Sequence, residues 1–429
     1  MEHEPGIEDD AKNLSVVTGS AILAGLITLG LFVSQVTAEP EATLTVVREI
    51  QPVVIEVVDV VEPVVEVEPV VVVVAPLSGS NRIYGTVTTV YGSDFTGYIR
   101  WDRNEGSWTD LLDATKPRAR GGSSISGIRF GHIDRIDVLS RNSALFTLKS
   151  GDQVELTGNA SDLGSGLRAL LVDEGDGRVS EFQWSDLETI DFSAPGSTSP
   201  AESRLFGTMT TRSGMQFTGY VTWDVDEIYS TDILDGDLNG RRVRIPFGEI
   251  ASIERHSSWG ARVTLHDGES FILEGTNDVD ASIGGISISD AALGQVKLDW
   301  AQFDNVRFHG TEAESAFAQF DGGSRLEGTV VTTSGNSYTG WITWDADEMY
   351  TWEMLNGEIQ GVEFDVEFGN IAQIVRTRRG AAVTLKDGRT FELSDSNDVD
   401  RGNRGIVIHT DGREFEVEWQ DFAELTLKH

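Results

Sequence analysis

Alternating apolar and polar residues dominate the chain from about residue 81 to its end. In one such segment, one face carries Phe217, Val221 and Trp223, and the other face carries Thr218 and Thr222. A period of two residues indicates a β-strand with one buried face. Apolar residues at helical spacing are nearly absent, so the pattern predicts an all-β fold.

Three long segments align with one another almost without gaps. They read GTVTTVYGSDFTGYIRWD, GTMTTRSGMQFTGYVTWD and GTVVTTSGNSYTGWITWD, beginning at Gly85, Gly207 and Gly328. Self-similarity of this kind is the signature of a repeat architecture. The alignment predicts three β repeats, at 81–193, 204–309 and 325–429. Residues 193–203 and 310–324, which are rich in small residues, are interpreted as linkers.

A shorter duplication lies inside each repeat. An alternating strand is followed by an aromatic residue and then by apolar residues three and six positions later. The aromatic residues of this pattern are Phe130, Trp184, Phe247, Trp300, Phe368 and Trp419. We therefore predict that each repeat is a pair of sequential β modules of roughly 50 residues, with one 3₁₀ turn at the aromatic position.

The order of strand, glycine turn and strand in each module resembles the small SH3-like and Sm-like barrels. The resemblance implies three tandem pairs of small β-barrels and no particular activity. A six-bladed β-propeller, with one blade for each module, is the alternative architecture. The longer linkers after every second module favour paired domains over six equivalent blades.

The first eighty residues differ in character from the repeats. Residues 1–13 form an acidic tail, and residues 14–38 carry no charge. Because about 20 apolar residues span a bilayer, we predict a transmembrane signal anchor at 14–38. A cleaved signal peptide is the alternative, since small residues precede Glu39. Residues 39–80 are rich in Val, Pro and Glu and are interpreted as an extended spacer.

The charge balance narrows the function. The chain has 33 Lys and Arg against 70 Asp and Glu, a formal charge of -37, and no cysteine. A phosphate backbone would be repelled, so we predict no nucleic-acid partner. Without cysteine there is no disulfide framework, thiolate metal site or cysteine nucleophile. The lack of cysteine does not fix the compartment, but the apolar segment predicts a membrane-anchored protein whose β repeats are exported, to the periplasm or the cell exterior.

Acidic clusters recur at matching places in repeats two and three. The candidate Ca²⁺ ligands are Asp224, Asp226, Glu227, Asp345, Asp347 and Glu348. A second pair of acidic clusters follows at 277–280 and 397–400. Several carboxylates in one turn offer the oxygen ligands that Ca²⁺ takes. The alternative, which we favour, is that Asp and Asn cap turns by accepting backbone hydrogen bonds, and that no cofactor is bound.

Tryptophans also recur along the repeats. The repeated positions are Trp101, Trp223, Trp344, Trp184, Trp300 and Trp419. We interpret them as core residues, because a large ring supplies much of the buried surface of a small domain. Trp341 and Trp352 occur only in repeat three. They are the candidate residues of a binding face.

No catalytic motif emerges from the sequence. A nucleophile elbow, a phosphate-binding loop and metal-type histidine pairs are absent. Similar domains in series are typical of multivalent binding. We therefore predict a non-enzymatic interaction or scaffold protein that uses its three acidic β repeats to bind a protein partner or to self-associate. The alternative function is an envelope glycan-binding or carbohydrate-active protein.

Overall fold

The computed structural model describes residues 81–117, 123–158, 162–175, 177–195, 202–310 and 316–428. Within these ranges the regular structure consists of β-strands and three-residue 3₁₀ turns, so the predicted all-β fold is confirmed. The predicted acidic tail, signal anchor and spacer lie outside the described residues. In the part of the chain that the structure describes, no helix is long and apolar enough to cross a bilayer.

Repeat one forms a ten-stranded antiparallel sheet. Its strands are β1 (Tyr84–Thr89), β2 (Asp94–Trp101), β3 (Leu111–Pro117), β4 (Ser123–Arg129), β5 (Ile133–Ser140), β6 (Ser143–Leu148), β7 (Gln153–Thr157), β8 (Leu170–Asp173), β9 (Val179–Phe182) and β10 (Leu187–Phe192). Their order in the sheet is β4-β3-β7-β6-β5-β10-β1-β2-β8-β9. The first strand therefore pairs with the last, from Gly85 opposite Phe192 to Thr89 opposite Leu187.

Repeat two has ten strands in the equivalent order. They are β11 (Phe206–Thr211), β12 (Gln216–Trp223), β13 (Ile233–Leu238), β14 (Arg241–Pro246), β15 (Ile250–Arg255), β16 (Gly260–Leu265), β17 (Ser270–Glu274), β18 (Ile286–Asp290), β19 (Gly294–Leu298) and β20 (Phe303–Phe308). The order is β14-β13-β17-β16-β15-β20-β11-β12-β18-β19. The alternation of buried and exposed residues in these strands follows the period of two that the sequence predicts.

Repeat three also has ten strands, divided between two sheets. They are β21 (Glu327–Thr332), β22 (Ser337–Thr343), β23 (Met354–Ile359), β24 (Val362–Glu367), β25 (Ile371–Arg376), β26 (Ala381–Leu385), β27 (Thr390–Leu393), β28 (Ile406–Thr410), β29 (Arg413–Val417) and β30 (Phe422–Leu427). Eight of them form a sheet of order β27-β26-β25-β30-β21-β22-β28-β29. The hairpin β23–β24 belongs to the sheet of repeat two and is joined to repeat three by a bridge between Glu358 and Ser394.

Short 3₁₀ turns separate several strands. Four of them begin at predicted aromatic positions: Phe130–His132, Trp184–Asp186, Phe247–Glu249 and Phe368–Asn370. The others are Gly164–Gly166, Asn277–Val279 and Phe317–Gln319. At Trp300 and Trp419 the chain makes ordinary turns instead. The predicted turn is thus present at four of the six aromatic positions.

The two halves of each repeat exchange strands. In repeat one, β1 and β2 pair with β10 and β8, whereas β6 and β7 pair with β5 and β3. Two five-stranded groups result, β10-β1-β2-β8-β9 and β5-β6-β7-β3-β4, and they are joined where β5 pairs with β10. The two halves are therefore interleaved, whereas the residue pattern predicts sequential modules. Both halves contain the same hairpins, so the residue pattern is satisfied by either arrangement.

One hairpin crosses between repeats. The described strands form three sheets of ten, twelve and eight strands, and not the six blades of the alternative propeller. The middle sheet has twelve strands because β24 of repeat three pairs with β19 of repeat two, from Gly294 opposite Val366 to Lys297 opposite Glu363. The same hairpin also stays bonded to repeat three through the bridge between Glu358 and Ser394, which is the counterpart of the pairings Thr115–Thr157 and Asp237–Glu274 in the other repeats.

Two hydrophobic cores lie between and beneath the sheets. One core is shared by repeats two and three and includes Trp223, Trp344 and Phe364. The other lies in repeat one, around Trp101, and takes in Trp352 of repeat three. Burial of apolar area at this scale is the main source of stability in a β protein. The three repeats are therefore packed together within one compact unit.

Repeat one contacts the other two repeats through buried charges. The ion pairs at these contacts include Arg204 with Asp110, Arg129 with Glu367, and Lys116 with Glu353. The Arg204–Asp110 distance is 3.2 Å, and all six side chains are 8% exposed or less. A charge that leaves water needs such a partner, because an unpaired buried charge is strongly destabilising. These pairs position repeat one against its neighbours.

Candidate cation site in the acidic turns

A tight acidic turn follows the second strand of each repeat. The three turns are Asp102–Glu105, Asp224–Glu227 and Asp345–Glu348. Their first aspartates have φ values of 39°, 46° and 45°, in the left-handed region that Asp tolerates better than most residues. In each turn the glutamate backbone N–H donates to the carbonyl oxygen of the preceding tryptophan, at 2.9–3.0 Å. Local turn chemistry therefore places an aspartate and a glutamate side by side.

A second acidic segment packs under each turn. The indole N–H of the turn's tryptophan donates to the backbone carbonyl oxygen of an aspartate, Asp162, Asp278 or Asp398, at 2.7, 2.8 and 2.9 Å. The Asp278 carboxylate also accepts the backbone N–H of Asp235 at 2.5 Å, and the other two aspartates make the same contact. The two acidic clusters that recur separately in the sequence thus meet in the fold.

In repeat three the structure brings the predicted ligands together. Ligand oxygens of Asp345, Asp347 and Glu348 lie within 4.8 Å of one another. A guanidinium already lies on this cluster: Arg404 pairs with Asp345 and, at 2.7 Å, with Asp347. The chain itself therefore supplies a cation to the acidic turn of repeat three.

In repeat two the group of carboxylates differs from the predicted one. Ligand oxygens of Asp224, Glu227 and Asp278 lie within 4.8 Å of one another. Asp226 is not in this group, and its carboxylate faces Arg168 of repeat one at 3.7 Å. The sequence analysis named the acidic cluster at 277–280 separately and did not place Asp278 among the candidate ligands, because it lies far along the chain from the turn. The recurrence of Asn-Asp-Val-Asp at 277–280 and 397–400 was the available signal.

Position 284 distinguishes repeat two from its neighbours. The backbone N–H groups of Arg168, Gly284 and Arg404 each donate to the first aspartate of their own turn, so the three residues are equivalent. In repeat one the Arg168 guanidinium also pairs with Asp102 at 3.0 Å. Gly284 has no side chain, so repeat two has no guanidinium at this position. Within the described residues, no guanidinium pairs directly with Asp224, Glu227 or Asp278, and only the Arg242 charge acts on Asp278 from nearby.

Burial raises the pKa values of the repeat-two cluster. Burial, followed by the negative charges of Asp278, Asp226 and Asp224, raises the pKa of Glu227 to about 9. Burial likewise raises the pKa of Asp278 to about 6, and that of Asp224 also lies above its usual value. Buried carboxyl groups that lie close together without a paired cation have raised pKa values of this kind.

The turn glutamate is incompletely bonded in every repeat. The Oε2 atoms of Glu105, Glu227 and Glu348 are buried and accept no hydrogen bond among the described residues. Glu105 and Glu348 are only 5% and 8% exposed. Leaving a buried carboxylate oxygen without a donor costs free energy, which a bound cation would recover.

A cavity of about 320 Å³, here called the junction cavity, lies where the three repeats meet. Its walls include Glu105 and Asp113 of repeat one, Gly284 and Lys297 of repeat two, and Glu363 of repeat three. Burial raises the pKa of Asp113 to about 6, against the lowering effect of the Lys297 charge. The cavity is therefore mainly acidic, and it borders the position where repeat two lacks an arginine.

The tryptophans separate into core and surface residues. The six repeated tryptophans are 0–7% exposed, as expected of core residues. Trp352 is 2% exposed and packs in the core of repeat one, so its large ring has no free face for a ligand. Trp341 is 44% exposed and lines a groove of about 490 Å³ with Arg325, Asn370 and Lys428. Trp259, which the sequence does not distinguish, is 72% exposed.

Comparison with known proteins adds no family. No protein-family model, no curated protein and no solved structure matches this chain. The functional argument therefore depends on the residues and the geometry described above.

Proposed function

We propose that the protein is a non-enzymatic interaction protein whose three β repeats form one body with unlike binding surfaces. The observation that carries this proposal is that equivalent positions on the three repeats differ in chemistry. Repeat one exposes apolar residues, repeat two has an acidic turn without an arginine, and repeat three exposes Trp341 in a groove. Unlike surfaces on one rigid body suit a scaffold that contacts several ligands.

The apolar surface of repeat one supports a protein partner. Val90 and Leu139 are 51% and 52% exposed, and they border a surface cavity of about 660 Å³. Tyr91, at the tip of the same hairpin as Val90, is 87% exposed. Exposed apolar patches of this kind are typical of protein interaction sites. We call Val90, Tyr91 and Leu139 the repeat-one patch.

The equivalent residues in the other repeats are polar or charged. Val90 corresponds to Arg212 and Thr333, and Leu139 corresponds to His256 and Thr377. The repeat-one patch is therefore a property of one repeat and not of the fold. A formal charge of -37 disfavours a second copy of the chain as its occupant. We propose a different protein, with an apolar contact surface and a basic rim.

The N-terminal segment supports a place at a membrane. We propose that residues 14–38 anchor the chain and that residues 39–80 hold the β repeats away from the bilayer on the exported side. The basis is the uncharged stretch at 14–38 and the Val, Pro and Glu composition that follows it. An anchored scaffold keeps its partners close to the membrane surface.

Crosslinking in cells followed by purification of the full-length chain from detergent-solubilised membranes tests the partner. We expect one protein to be recovered in a fixed ratio with the wild-type chain and to be lost from the double variant V90D/L139D. The matched control is T333D/T377D, which places the same charges at the equivalent positions of repeat three. Recovery of the partner with V90D/L139D, or of no partner with the wild type, would contradict the proposal.

The Trp341 groove supports the second function, binding of an envelope glycan. An exposed indole beside Arg325, Asn370 and Lys428 combines an apolar face with hydrogen-bond donors. We expect W341A to lose retention on immobilised envelope polysaccharide. The control is W259A, because Trp259 is exposed on another repeat. Equal loss in both variants would indicate non-specific aromatic contact and not a glycan site.

A further inference from the structure

Each repeat carries an acidic residue just beyond its acidic turn. The three residues lie eight positions after the first aspartate of their turns: Asp110, Asp232 and Glu353. Each of them accepts two backbone N–H groups from the residues that directly follow its turn. The three residues therefore occupy equivalent positions in the repeats.

In repeats two and three, a cation of repeat one contacts both this acidic residue and the turn. In repeat three the Lys116 ammonium pairs with Glu353 and donates to the carbonyl oxygen of Asp347 at 2.7 Å. In repeat two the Arg100 guanidinium pairs with the equivalent aspartate at 3.0 Å and donates to the carbonyl oxygen of Asp226 at 2.6 Å. The third residue of the turn thus binds a cation in both repeats.

The Lys116 ammonium also acts on the turn glutamate of repeat three. Burial and neighbouring carboxylates raise the pKa of Glu348 well above its ordinary value, and the Lys116 charge opposes this rise. The Glu348 side chain is 8% exposed, so a nearby charge acts on it more strongly than it would in water. In repeat three the chain therefore supplies an ammonium group to the turn glutamate.

In repeat one the equivalent residues line the junction cavity. They are Asn104, Glu105 and Asp110. Asp110 pairs with Arg204 at 3.2 Å, but among the described residues the other hydrogen bonds of Arg204 go to repeat two and not to the turn. Glu105 is 5% exposed, and its Oε2 atom is buried without a hydrogen-bond donor. The turn glutamate of repeat one therefore lines a cavity, whereas that of repeat three has an ammonium group nearby.

Negative charge dominates the surroundings of Glu105. Burial, followed by the charges of four neighbouring aspartates, raises its pKa well above the ordinary value. The cavity wall also carries Lys297, but this ammonium pairs with Asp365 at 3.0 Å. A buried carboxyl group without a counter-charge is costly, and a cation in the cavity would offset that cost. The cavity therefore favours a positively charged ligand.

The size and walls of the cavity favour an organic cation over a metal ion. Its volume of about 320 Å³ lies at the lower end of the range for small-molecule pockets. Beside Glu105 the wall carries three apolar residues, Leu111, Ile286 and Leu298. A metal ion such as Ca²⁺ takes several convergent oxygens. Among the described residues, Glu105 belongs to neither of the groups of three carboxylates whose oxygens converge within 4.8 Å.

We propose that the junction cavity binds a primary alkyl ammonium, with Glu105 as its counter-charge and the apolar wall against its carbon chain. This ligand supplies to the turn glutamate of repeat one the positive charge that Lys116 supplies in repeat three. Asn104 and Asp110 lie in the same wall and provide further oxygen acceptors. A free amine and a lysine side chain of a bound protein share this chemistry.

Titration of the full-length chain in detergent with n-butylammonium chloride tests this site. We expect isothermal titration calorimetry to give one site per chain, with a dissociation constant of about 10⁻⁴ to 10⁻³ M. E105Q removes the counter-charge and should weaken binding by about tenfold or more. The matched control E227Q makes the same change in the turn of repeat two, outside the cavity wall, and should bind like the wild type. Circular dichroism and the melting temperature establish that each variant is folded.

A second variant leaves Glu105 in place and adds a competing cation. Val225 lines the cavity and is 48% exposed, so a longer polar side chain is accommodated there. V225K brings an ammonium group of the chain to the cavity and should weaken n-butylammonium binding by about tenfold or more. V225Q, which is of similar length and uncharged, should bind within about threefold of the wild type.

A second probe, Nα-acetyl-lysine methylamide, distinguishes the two sources of the ammonium group. If this probe binds and E105Q weakens it, the cavity takes a lysine side chain of a partner; if only n-butylammonium binds, it takes a free amine. Binding of neither probe to the wild type would overturn the proposal. Equal n-butylammonium binding by E105Q and the wild type, or equal loss in E227Q and E105Q, would also overturn it. Binding of CaCl₂ that E105Q abolishes, with no binding of either ammonium probe, would replace the organic cation by a metal ion.

Discussion

The junction between repeats two and three differs from the contacts that repeat one makes with both. Repeats two and three share the β19–β24 ladder and one hydrophobic core. In this core the ring centroids of Phe217 and Phe364 lie 5.6 Å apart. Repeat one is joined by buried ion pairs, such as Arg129 with Glu367 at 2.9 Å, and by Trp352, which repeat three inserts into its core. Homologous repeats are thus united in two physically different ways within one chain.

Because the two junctions differ, we expect different substitutions to destabilise them. A strand ladder with an apolar core requires the two paired backbones to lie close together. It loses stability when an added side chain holds the strands apart. A buried ion pair depends on both charges and is most sensitive to the loss of one of them. The substitutions below test this contrast in order of decreasing expected effect.

The largest effect is expected at Gly294, in the ladder. Its φ is +147°, and a Cβ atom there would overlap the carbonyl oxygen of Asp365 on β24. We expect G294V to cost about 5 kcal/mol, since the backbone itself must move apart. Urea unfolding followed by tryptophan fluorescence should show repeats two and three unfolding separately. Q295V, on the same strand, should change stability by less than about 0.5 kcal/mol; an equal loss would contradict the argument.

The next effect concerns Trp352, which repeat three inserts into the core of repeat one. The side chain is 2% exposed, so W352A should cost about 4 kcal/mol through the cavity that it leaves. W341A is the control, because Trp341 is 44% exposed and should change stability little. Thermal unfolding of W352A and W341A tests this prediction. Similar melting temperatures would show that Trp352 does not hold the two repeats together.

The ion pair at Glu367 ranks third. Burial alone would raise the pKa of Glu367, but the charges of Arg129 and His132 outweigh it and hold the pKa low. E367Q should therefore cost about 3 kcal/mol, because Arg129 stays buried without its counter-charge. Denaturant unfolding measures this loss. The exposed pair of Arg262 with Glu254 provides the control E254Q, which should be near neutral.

A double variant sharpens the ion-pair test. Replacing both partners, as R129M/E367M, should recover most of the stability lost in E367Q, because neither buried charge remains. If the double variant is as unstable as E367Q, the pair itself stabilises the junction.

The smallest expected effect is a pH dependence at Asp113. Burial raises the pKa of this carboxyl group to about 6, so the folded chain keeps its proton at pH values where the unfolded chain has lost it. The stability that this contributes is fully present below about pH 4 and is lost as pH rises through 6. D113N should reduce this pH-dependent loss of folding stability by about 1 kcal/mol. D267N, in an exposed turn, is the control substitution for the removal of a carboxyl group.

Parts of the fold follow from local residue patterns. Alternation in Phe217–Trp223 predicts a strand, and β12 extends from Gln216 to Trp223. The acidic turns likewise follow from Asp and Asn at positions that tolerate a left-handed backbone. These predictions hold because each depends on residues only a few positions apart.

The candidate site was only partly predictable. The turns Asp224–Glu227 and Asp345–Glu348 recur in the sequence, but their contact with Asp278 and Asp398 requires the tertiary fold. The exchange of glycine for arginine at Gly284 is already visible in the sequence, where residues 277–285 align with 397–405 without a gap, and equivalent hydrogen bonds confirm it. The effect of this exchange on local charge depends on the carboxylates that lie against Gly284, and their arrangement cannot be predicted from a local pattern.

The sequence by itself determined the all-β class, the three repeats and the acidic turns, because strand alternation and turn chemistry are local properties. Only the tertiary structure decided that the two halves of each repeat exchange strands and that β24 joins the sheet of repeat two. Hairpins that share one pattern of buried and exposed residues can pair with strands of either half of the repeat. The choice between partners therefore depends on long-range packing and on buried charges, such as Arg204 and Glu367, which the pattern does not contain.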